Sequence, residues 1–189
     1  MRTQSAKREL GKASAAPAAA AAPQATPVWK DLLFLLAKLA GIALVFMVLF
    51  SFVFGVMRYQ DPAMSPAVKD GDLVVFHRYT KSGYRPQDAV VVKFEGEKQV
   101  RRVVATEGDT VDISGGGVIV NGARQQETGI YVETERYEGG VSFPLQVPAG
   151  CVFVLGDERH IAADSRVYGP VKIADTLGKV MTVIRRRGI

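Results

Sequence analysis

The chain has 189 residues, of which 48% are hydrophobic and 23% charged, and its 24 basic and 19 acidic side chains give a formal net charge of +5. This charge is spread along the chain rather than gathered in one block, so it gives no indication of nucleic-acid binding. Because Cys151 is the only cysteine, the chain cannot form an internal disulfide or a thiolate-rich metal site by itself. Cys151 lies in an apolar run and is predicted to be a core residue.

The N-terminal segment is polar and then dominated by alanine and proline. Residues 1–27 contain no aromatic side chain and too little apolar variety to build a core. The sequence therefore predicts that residues 1–31 form a disordered tail.

An apolar segment follows, and it is long enough to cross a membrane. The run from Leu39 to Met57 carries no charge and approaches the roughly 20 residues that a bilayer requires. We predict a transmembrane helix over residues 32–57. A cleaved signal peptide is the alternative, but its apolar stretch would be shorter, and the residues around Met57 offer no small-residue cleavage site.

The charges on the two sides of this segment predict its orientation. Basic residues are in excess before the helix, whereas Arg58 comes directly after it and is soon offset by Asp61. Short cytoplasmic segments carry the excess of lysine and arginine. We therefore expect a single-pass protein of the cell membrane, with a cytoplasmic N-terminus and an extracytoplasmic domain over residues 58–189.

The remaining residues alternate between short β-rich runs and turn signals. No long amphipathic helical pattern interrupts them, and Asn121-Gly122 is typical of a hairpin turn. The sequence predicts a mainly β domain with barrel-like antiparallel sheets. The expected strands are Leu73–Phe76, Ala89–Val92, Val100–Ala105, Val118–Val120, Val152–Leu155 and Val180–Ile184.

Three short boxes of the β domain resemble the conserved boxes of the type I signal peptidases, membrane-bound serine proteases with a Ser/Lys dyad. The first is Ala63-Met64-Ser65-Pro66, with Gly71-Asp72 shortly after it. The second runs from Arg101 to Asp109. The third runs from Gly156 to Arg166, with Gly169 following.

The resemblance implies that the catalytic positions have been replaced. Ala63 stands at the position of the nucleophilic serine, Arg101 at that of the general-base lysine, and Ala162 at that of a serine that helps to orient the lysine. Alanine has no nucleophilic atom, and an arginine guanidinium stays protonated and cannot accept a proton. We therefore expect a protein that keeps the fold but lacks the Ser/Lys chemistry.

The framework around these positions is intact by the same resemblance. Its expected role is structural, with the acidic and basic residues of the third box forming a charge-assisted pair. The framework residues are Met64, Pro66, Gly71, Asp72, Arg102, Gly108, Asp109, Gly156, Asp157, Asp164, Ser165, Arg166 and Gly169.

Ser65 is the alternative nucleophile, because residues two apart in an extended segment point to the same side. A two-residue shift, however, displaces a hydroxyl by roughly 6 to 7 Å, and attack geometry tolerates only about an ångström. Lys93 and Lys98 are alternative bases, although we interpret both as solvated surface lysines.

A Ser/His/Asp triad from His160, Asp164 and Ser165 is a further alternative, since triads are recognised by geometry rather than by order. The resemblance instead gives these residues a structural role. His77 and His160 have no acidic cluster beside them, so we expect no metal site and no cofactor.

The sequence therefore predicts a non-catalytic protein that binds an extended peptide of an exported preprotein by strand addition. It is similar to the inactive signal-peptidase-like proteins of pilus assembly, which implies a pilin-type client. Two alternatives stay open: an active type I signal peptidase, and a structural envelope protein whose groove has closed. The lipid bilayer is the other expected partner, although we interpret the terminal run Arg185–Arg187 as solvated.

Overall fold

The computed structural model describes residues 28–78 and 83–185. The tail predicted for residues 1–31 therefore lies mostly outside the described residues, and so do Arg186 and Arg187. By its contacts the chain divides into two units, residues 1–41 and residues 42–189.

The apolar segment begins as helix α1, Val28–Val48, and continues as a π-helical stretch, Leu49–Val53. By length and composition, Val28–Val53 could cross a membrane. The predicted limits of 32 and 57 were wrong at both ends, because the helix starts at Val28 and Phe54–Arg58 form strand β1. An apolar run does not by itself distinguish a buried strand from a helix. Here Phe54–Arg58 form a strand rather than the end of the helix, because they pair with Leu73–His77.

Eleven strands are present among the described residues. They are β1 Phe54–Arg58, β2 Leu73–His77, β3 Ala89–Phe94, β4 Glu97–Thr106, β5 Thr110–Ser114, β6 Gly117–Val120, β7 Ala123–Arg124, β8 Leu145–Gln146, β9 Cys151–Leu155, β10 Val171–Lys172 and β11 Gly178–Ile184. Each of the six predicted strands lies within, or overlaps, one of them. Helix α2, Ser165–Tyr168, and two 3₁₀ turns, Pro62–Met64 and Ile173–Asp175, complete the fold.

The strands form two antiparallel sheets. The larger has seven strands in the order β1-β2-β11-β3-β4-β9-β10, and the smaller has four in the order β7-β6-β5-β8. Bulges interrupt the pairing of β11 with β2 and of β4 with β9, and such bulges bend the bulged strand. The predicted mainly β, antiparallel fold is confirmed.

Strands β6 and β7 form the predicted hairpin. Asn121 and Gly122 both have positive φ, 53° and 80°, and Val120 lies opposite Ala123. A two-residue loop with two positive φ values matches the right-handed twist of the flanking strands. The turn signal in the sequence therefore specified both the place and the register of this hairpin.

The core has three apolar clusters. The first includes Tyr59, Met64, Phe76 and Val100 inside the curve of β1, β2, β3 and β4. The second contains Cys151, which is buried as the sequence predicts. The third covers the other face of β3, β4 and β9. Because the first cluster joins β1 to β4, it fixes the distance between the two strands that border the site.

Gly178, at the start of β11, gives a test of this packing. It has a φ of 145°, and a Cβ there would lie 2.1 Å from the backbone oxygen of His77. We expect Gly178→Ala to lower the free energy of unfolding by more than about 2 kcal/mol, because strain and a backbone clash combine. Gly129→Ala is the control, since φ is 87° there but the space is open. Chemical unfolding in detergent should show the larger loss at Gly178; equal losses would contradict the close approach.

Candidate functional site

Ala63 lies in the 3₁₀ turn Pro62–Met64, which the sequence builds from a helix-start signal. Asp61 caps the turn by accepting a hydrogen bond from the backbone N–H of Ala63 at 2.8 Å, and proline occupies the first position of the turn. Ala63 is buried, and its carbonyl accepts a hydrogen bond from the backbone N–H of Glu158 at 2.9 Å. The first and third boxes are therefore joined at this residue.

Gly156 brings together Ala63 and Ala162, two of the positions at which the resemblance predicts replaced site residues. A Cβ on Gly156 would lie 2.3 Å from the Cβ of Ala162 and 2.9 Å from the carbonyl oxygen of Ala63. No larger residue fits there without movement of the backbone. Ala63 and Ala162 consequently lie on either side of Gly156, although they are about a hundred residues apart in sequence.

Arg101 lies on β4, and its guanidinium is the charged group at the centre of the site. Its side chain is 1% exposed. Nη1 donates to Oδ2 of Asp61 at 2.9 Å and to the carbonyl of Val100 at 2.6 Å, while Nε donates to the carbonyl of Ala163 at 2.8 Å. Arg101 thus ties together β4, the capped turn and the segment that leads to α2.

Two buried tyrosines lie close enough to Arg101 for its charge to affect their pKa values. Burial raises the pKa of Tyr59 well above its usual range, with a further increase from Asp61 and an opposing effect of Arg101. Burial raises the pKa of Tyr168 in the same way, and Arg101 again opposes it. Within the described part of the chain, neither hydroxyl has a partner at hydrogen-bonding distance and angle, so Arg101 acts on both mainly through its charge. Both groups remain neutral phenols and supply no base.

The third box is held by ion pairs, as its resemblance implied. Asp164 accepts from Nε and Nη2 of Arg166, both at 2.9 Å, and from the backbone N–H of Gly156 at 3.0 Å. Asp157 takes two hydrogen bonds from Arg102, at 2.7 and 2.6 Å, and this pairing raises the pKa of the Arg102 guanidinium. The Arg102–Asp157 pair fastens the third box to β4, and the Asp164–Arg166 pair holds the box internally.

The remaining framework residues shape turns. Gly71, Gly108 and Gly169 have φ values of 87°, 84° and 80°. Oδ2 of Asp72 accepts from the backbone N–H of Lys69 at 2.9 Å. Asp109 accepts hydrogen bonds from Thr106 and Asn121, which lower the pKa of its carboxyl group.

The alternative triad is not assembled. Oγ of Ser165 accepts a hydrogen bond from the backbone N–H of Val154 at 3.0 Å, Asp164 is occupied by Arg166, and His160 is exposed. The alternative bases Lys93 and Lys98 are also exposed. In residues 28–78 and 83–185 the Ser65 hydroxyl makes no hydrogen bond to a basic side chain, and no group of three potential metal ligands occurs.

Two site residues escaped the sequence analysis. Asp61 was read only as an offset for Arg58, yet it is the counter-ion of Arg101. Arg159 is buried and makes a bidentate pair with Glu127 together with a hydrogen bond to Thr134, so it fastens the 125–146 segment to the third box. The sequence signal that could have identified Asp61 is the Asp61-Pro62 pair, because such a pair is typical of the start of a helical turn. No sequence signal pointed to Arg159.

The chain matches the family described as "Signal peptidase, peptidase S26" over residues 32–184, and it belongs to this family. It is 30% identical over 142 residues to signal peptidase I of Bacillus caldolyticus, covering 68% of this chain and 78% of that protein. It is 31% identical over 129 residues to the probable thylakoidal processing peptidase 2 of Arabidopsis thaliana. That match covers 62% of this chain but spans only about a third, 34%, of the plant protein.

A solved structure is also similar to this chain. The crystal structure of a signal peptidase I from Enterococcus faecalis V583 is 25% identical, with a TM-score of 0.45, and the match covers 55% of this chain and all of that one. The family match over residues 32–184 confirms, at the level of the family, the resemblance to the type I signal peptidases that was seen in the three boxes.

The Arg101–Asp61 pair can be tested by a double-mutant cycle. Asp61→Asn leaves a buried guanidinium without its counter-ion, and we expect a loss of about 1 to 3 kcal/mol in the free energy of unfolding, since Asp61 is 26% exposed. Arg101→Met combined with Asp61→Asn should recover part of this loss. Asp112→Asn, which breaks the surface pair with Arg136, is the control and should cost less than about 1 kcal/mol. Additive losses at Asp61 and Arg101 would contradict the pair.

Proposed function

We propose that this chain is a non-catalytic member of the signal peptidase family that binds an extended segment of an exported protein without cleaving it. The observation that carries the proposal is the buried ion pair of Arg101 and Asp61 at the position where the family resemblance places the catalytic base. A general base must be neutral to take the proton of a nucleophile. Here the position holds a permanent cation with its own counter-ion, and position 63 offers no hydroxyl.

A cleft of about 520 Å³ beside this pair is suited to an extended peptide. It is lined on one side by the end of β1 and the residues after it, and on the other by the β3–β4 turn and the start of β4. The lining residues are Val56, Met57, Arg58, Gln60, Asp61, Gly96, Glu97, Lys98 and Gln99.

Both walls of the cleft are free strand edges. Among residues 28–78 and 83–185, strand β1 pairs only with β2, and β4 pairs with β9 only from Arg102 onward. The N–H and C=O groups of Tyr59 both bond towards β2, at Asp72 and Gly71. Because backbone groups alternate in direction along a strand, those of Arg58 and Gln60 point towards the cleft. Strand addition at this edge would supply main-chain hydrogen bonds to a peptide.

Arg101 sets the end of the cleft. Val103 exchanges hydrogen bonds with residues on the β3 side, so alternation turns the groups of Lys98 and Val100 away from β3. The carbonyl of Val100 is already occupied by Nη1 of Arg101. The backbone groups of Lys98 are therefore free to pair with a peptide. Beyond Lys98 the peptide would be stopped by the guanidinium of Arg101, at the point where the substrate of an active enzyme would extend to the nucleophile.

The membrane arrangement is part of the proposal. Residues 28–53 would span the bilayer with the N-terminus in the cytoplasm, and the β domain would be held at the outer surface of the cell membrane. The chain passes from the helical stretch into β1 with no intervening residue, so the cleft would open near the bilayer surface. Clients would be exported preproteins, and the replacement of both dyad members favours pilin-type clients that are assembled rather than cleaved.

Absence of cleavage is the first test. We expect the purified full-length chain to leave a preprotein intact in detergent under conditions in which an established signal peptidase cleaves it. Wild-type turnover that Ser65→Ala abolishes would overturn the proposal, because the protein would then be an enzyme with a relocated nucleophile.

Restoring activity should require three changes. Asp61 lies beside the base position, and a carboxylate there would keep a lysine protonated. We therefore expect Ala63→Ser/Arg101→Lys to remain inactive, and the same variant with Asp61→Ser to gain measurable cleavage, since serine keeps the cap on residue 63 without the charge. Full activity in the double variant would show that Asp61 does not control the site.

Peptide binding can be measured by the fluorescence anisotropy of a fluorescein-labelled signal-peptide segment. Gln60→Trp fills the cleft between the two strand edges, so we expect the affinity to fall at least about tenfold. Gln146→Trp is the matched control, because Gln146 is equally exposed and lines a different cavity, near β8. Equal affinity in wild type and Gln60→Trp would place the peptide elsewhere, and no binding at all would favour the closed-groove alternative.

A further inference from the structure

A second cavity, of about 280 Å³, is lined in part by the end of the first box and has an excess of positive charge. It is lined by residues of the first box and the loop after it, of β4, of the 125–146 segment, of the third box and of the end of β11. The lining residues are Pro66, Ala67, Lys69, Arg102, Thr128, Gly129, Asp157 and Arg185.

The charges in this cavity do not cancel. Asp157 is the one acidic residue in its lining, and it already accepts two hydrogen bonds from Arg102. Glu127, next to Thr128, is likewise paired with Arg159. Among the described residues, Lys69 and Arg185 have no carboxylate within salt-bridge distance. Two cations are therefore left facing a concave space.

Backbone hydrogen bonds and strand pairing fix the main-chain positions of Lys69 and Arg185. The N–H of Lys69 is held by Asp72 at 2.9 Å, and the N–H of Asp72 is held by the carbonyl of Lys69 at 3.1 Å. Ile184 pairs with Leu73 in the register of β11 and β2, so Arg185 leaves the sheet beside this turn. A site with two exposed cations on fixed backbone positions and a polar loop, Thr128-Gly129, has the chemistry that recognises a phosphate group.

The surface beside the cavity is apolar. Leu73 is 38% exposed and Ile184 is 55% exposed, and they are cross-strand neighbours. Val56, which is 43% exposed, lies two residues before Arg58, the β1 partner of Leu73, and so faces the same side. Free phosphate would gain nothing from contact with an apolar surface, whereas the acyl chains of a lipid would be buried against it.

We propose that the Lys69–Arg185 cavity binds the phosphate of an anionic phospholipid, whose acyl chains lie along Leu73, Ile184 and Val56. The site would hold the β domain against the membrane at a defined angle, next to the first box. It depends on the proximity of β1 to the bilayer but not on peptide binding, so either proposal can fail without the other.

Native mass spectrometry of the full-length chain in nonionic detergent tests the site, with phosphatidylglycerol and phosphatidylcholine as probes. We expect a one-to-one adduct that favours phosphatidylglycerol. Each cation near an anionic headgroup strengthens binding roughly fivefold. Lys69→Gln/Arg185→Gln should therefore weaken the phosphatidylglycerol adduct about 30-fold and leave the phosphatidylcholine adduct unchanged. The control Lys93→Gln/Lys172→Gln removes the same charge at exposed positions away from the cavity, and it should bind as the wild type does.

Three outcomes would overturn the proposal. Equal adducts with the two lipids would show that the phosphate charge is not recognised. An equal loss in the Lys93/Lys172 control would mean that net charge, rather than the cavity, attracts the lipid. Displacement of phosphatidylglycerol by an equal concentration of inorganic phosphate, or of a soluble acidic peptide, would assign the cavity to that ligand. Gln60→Trp should retain the lipid adduct, which separates this result from the test of the peptide cleft.

Discussion

The guanidinium of Arg101 is the group on which the arrangement of the site depends. It is buried at the edge of β4 and donates to Asp61, Val100 and Ala163, which belong to three separate segments. A buried cation is tolerated only where such partners surround it. The same bonds that make the charge acceptable therefore hold the capped turn, the strand edge and the third box in one position.

This pairing connects the stability of the site with its function. In an active enzyme of the Ser/Lys type, a lysine at this position must lose its proton, which requires burial without a strong counter-ion. Asp61 reverses that condition, because it stabilises the charged form. Under the proposed function, the position would hold a fixed charge where an active enzyme holds a reactive base, and the strand edges beside it would be available to a peptide.

The two cavities share no lining residue and differ in chemistry. The cleft at β1 and β4 has strand edges as walls, which suits a main chain. The cavity at Lys69 and Arg185 has two cations with no carboxylate partner among the described residues, and an apolar border, which would suit a lipid phosphate. A membrane-held domain with both would present its peptide cleft at a constant height above the bilayer, where exported chains emerge.

The sequence by itself determined the family, the antiparallel β class, six of the strands and the Asn121-Gly122 hairpin, because these follow from local patterns and short motifs. The replacement of the catalytic residues at positions 63, 101 and 162 stays a prediction. Strand β1 was hidden in the apolar run, since only pairing with β2 ends the helix at Val53. Asp61 and Arg159 were recognised only in the folded chain, because their partners lie 40 and 32 residues away in sequence. The long-range contacts of buried charges are decided by tertiary structure, which alone brings the opposite charges within hydrogen-bonding distance.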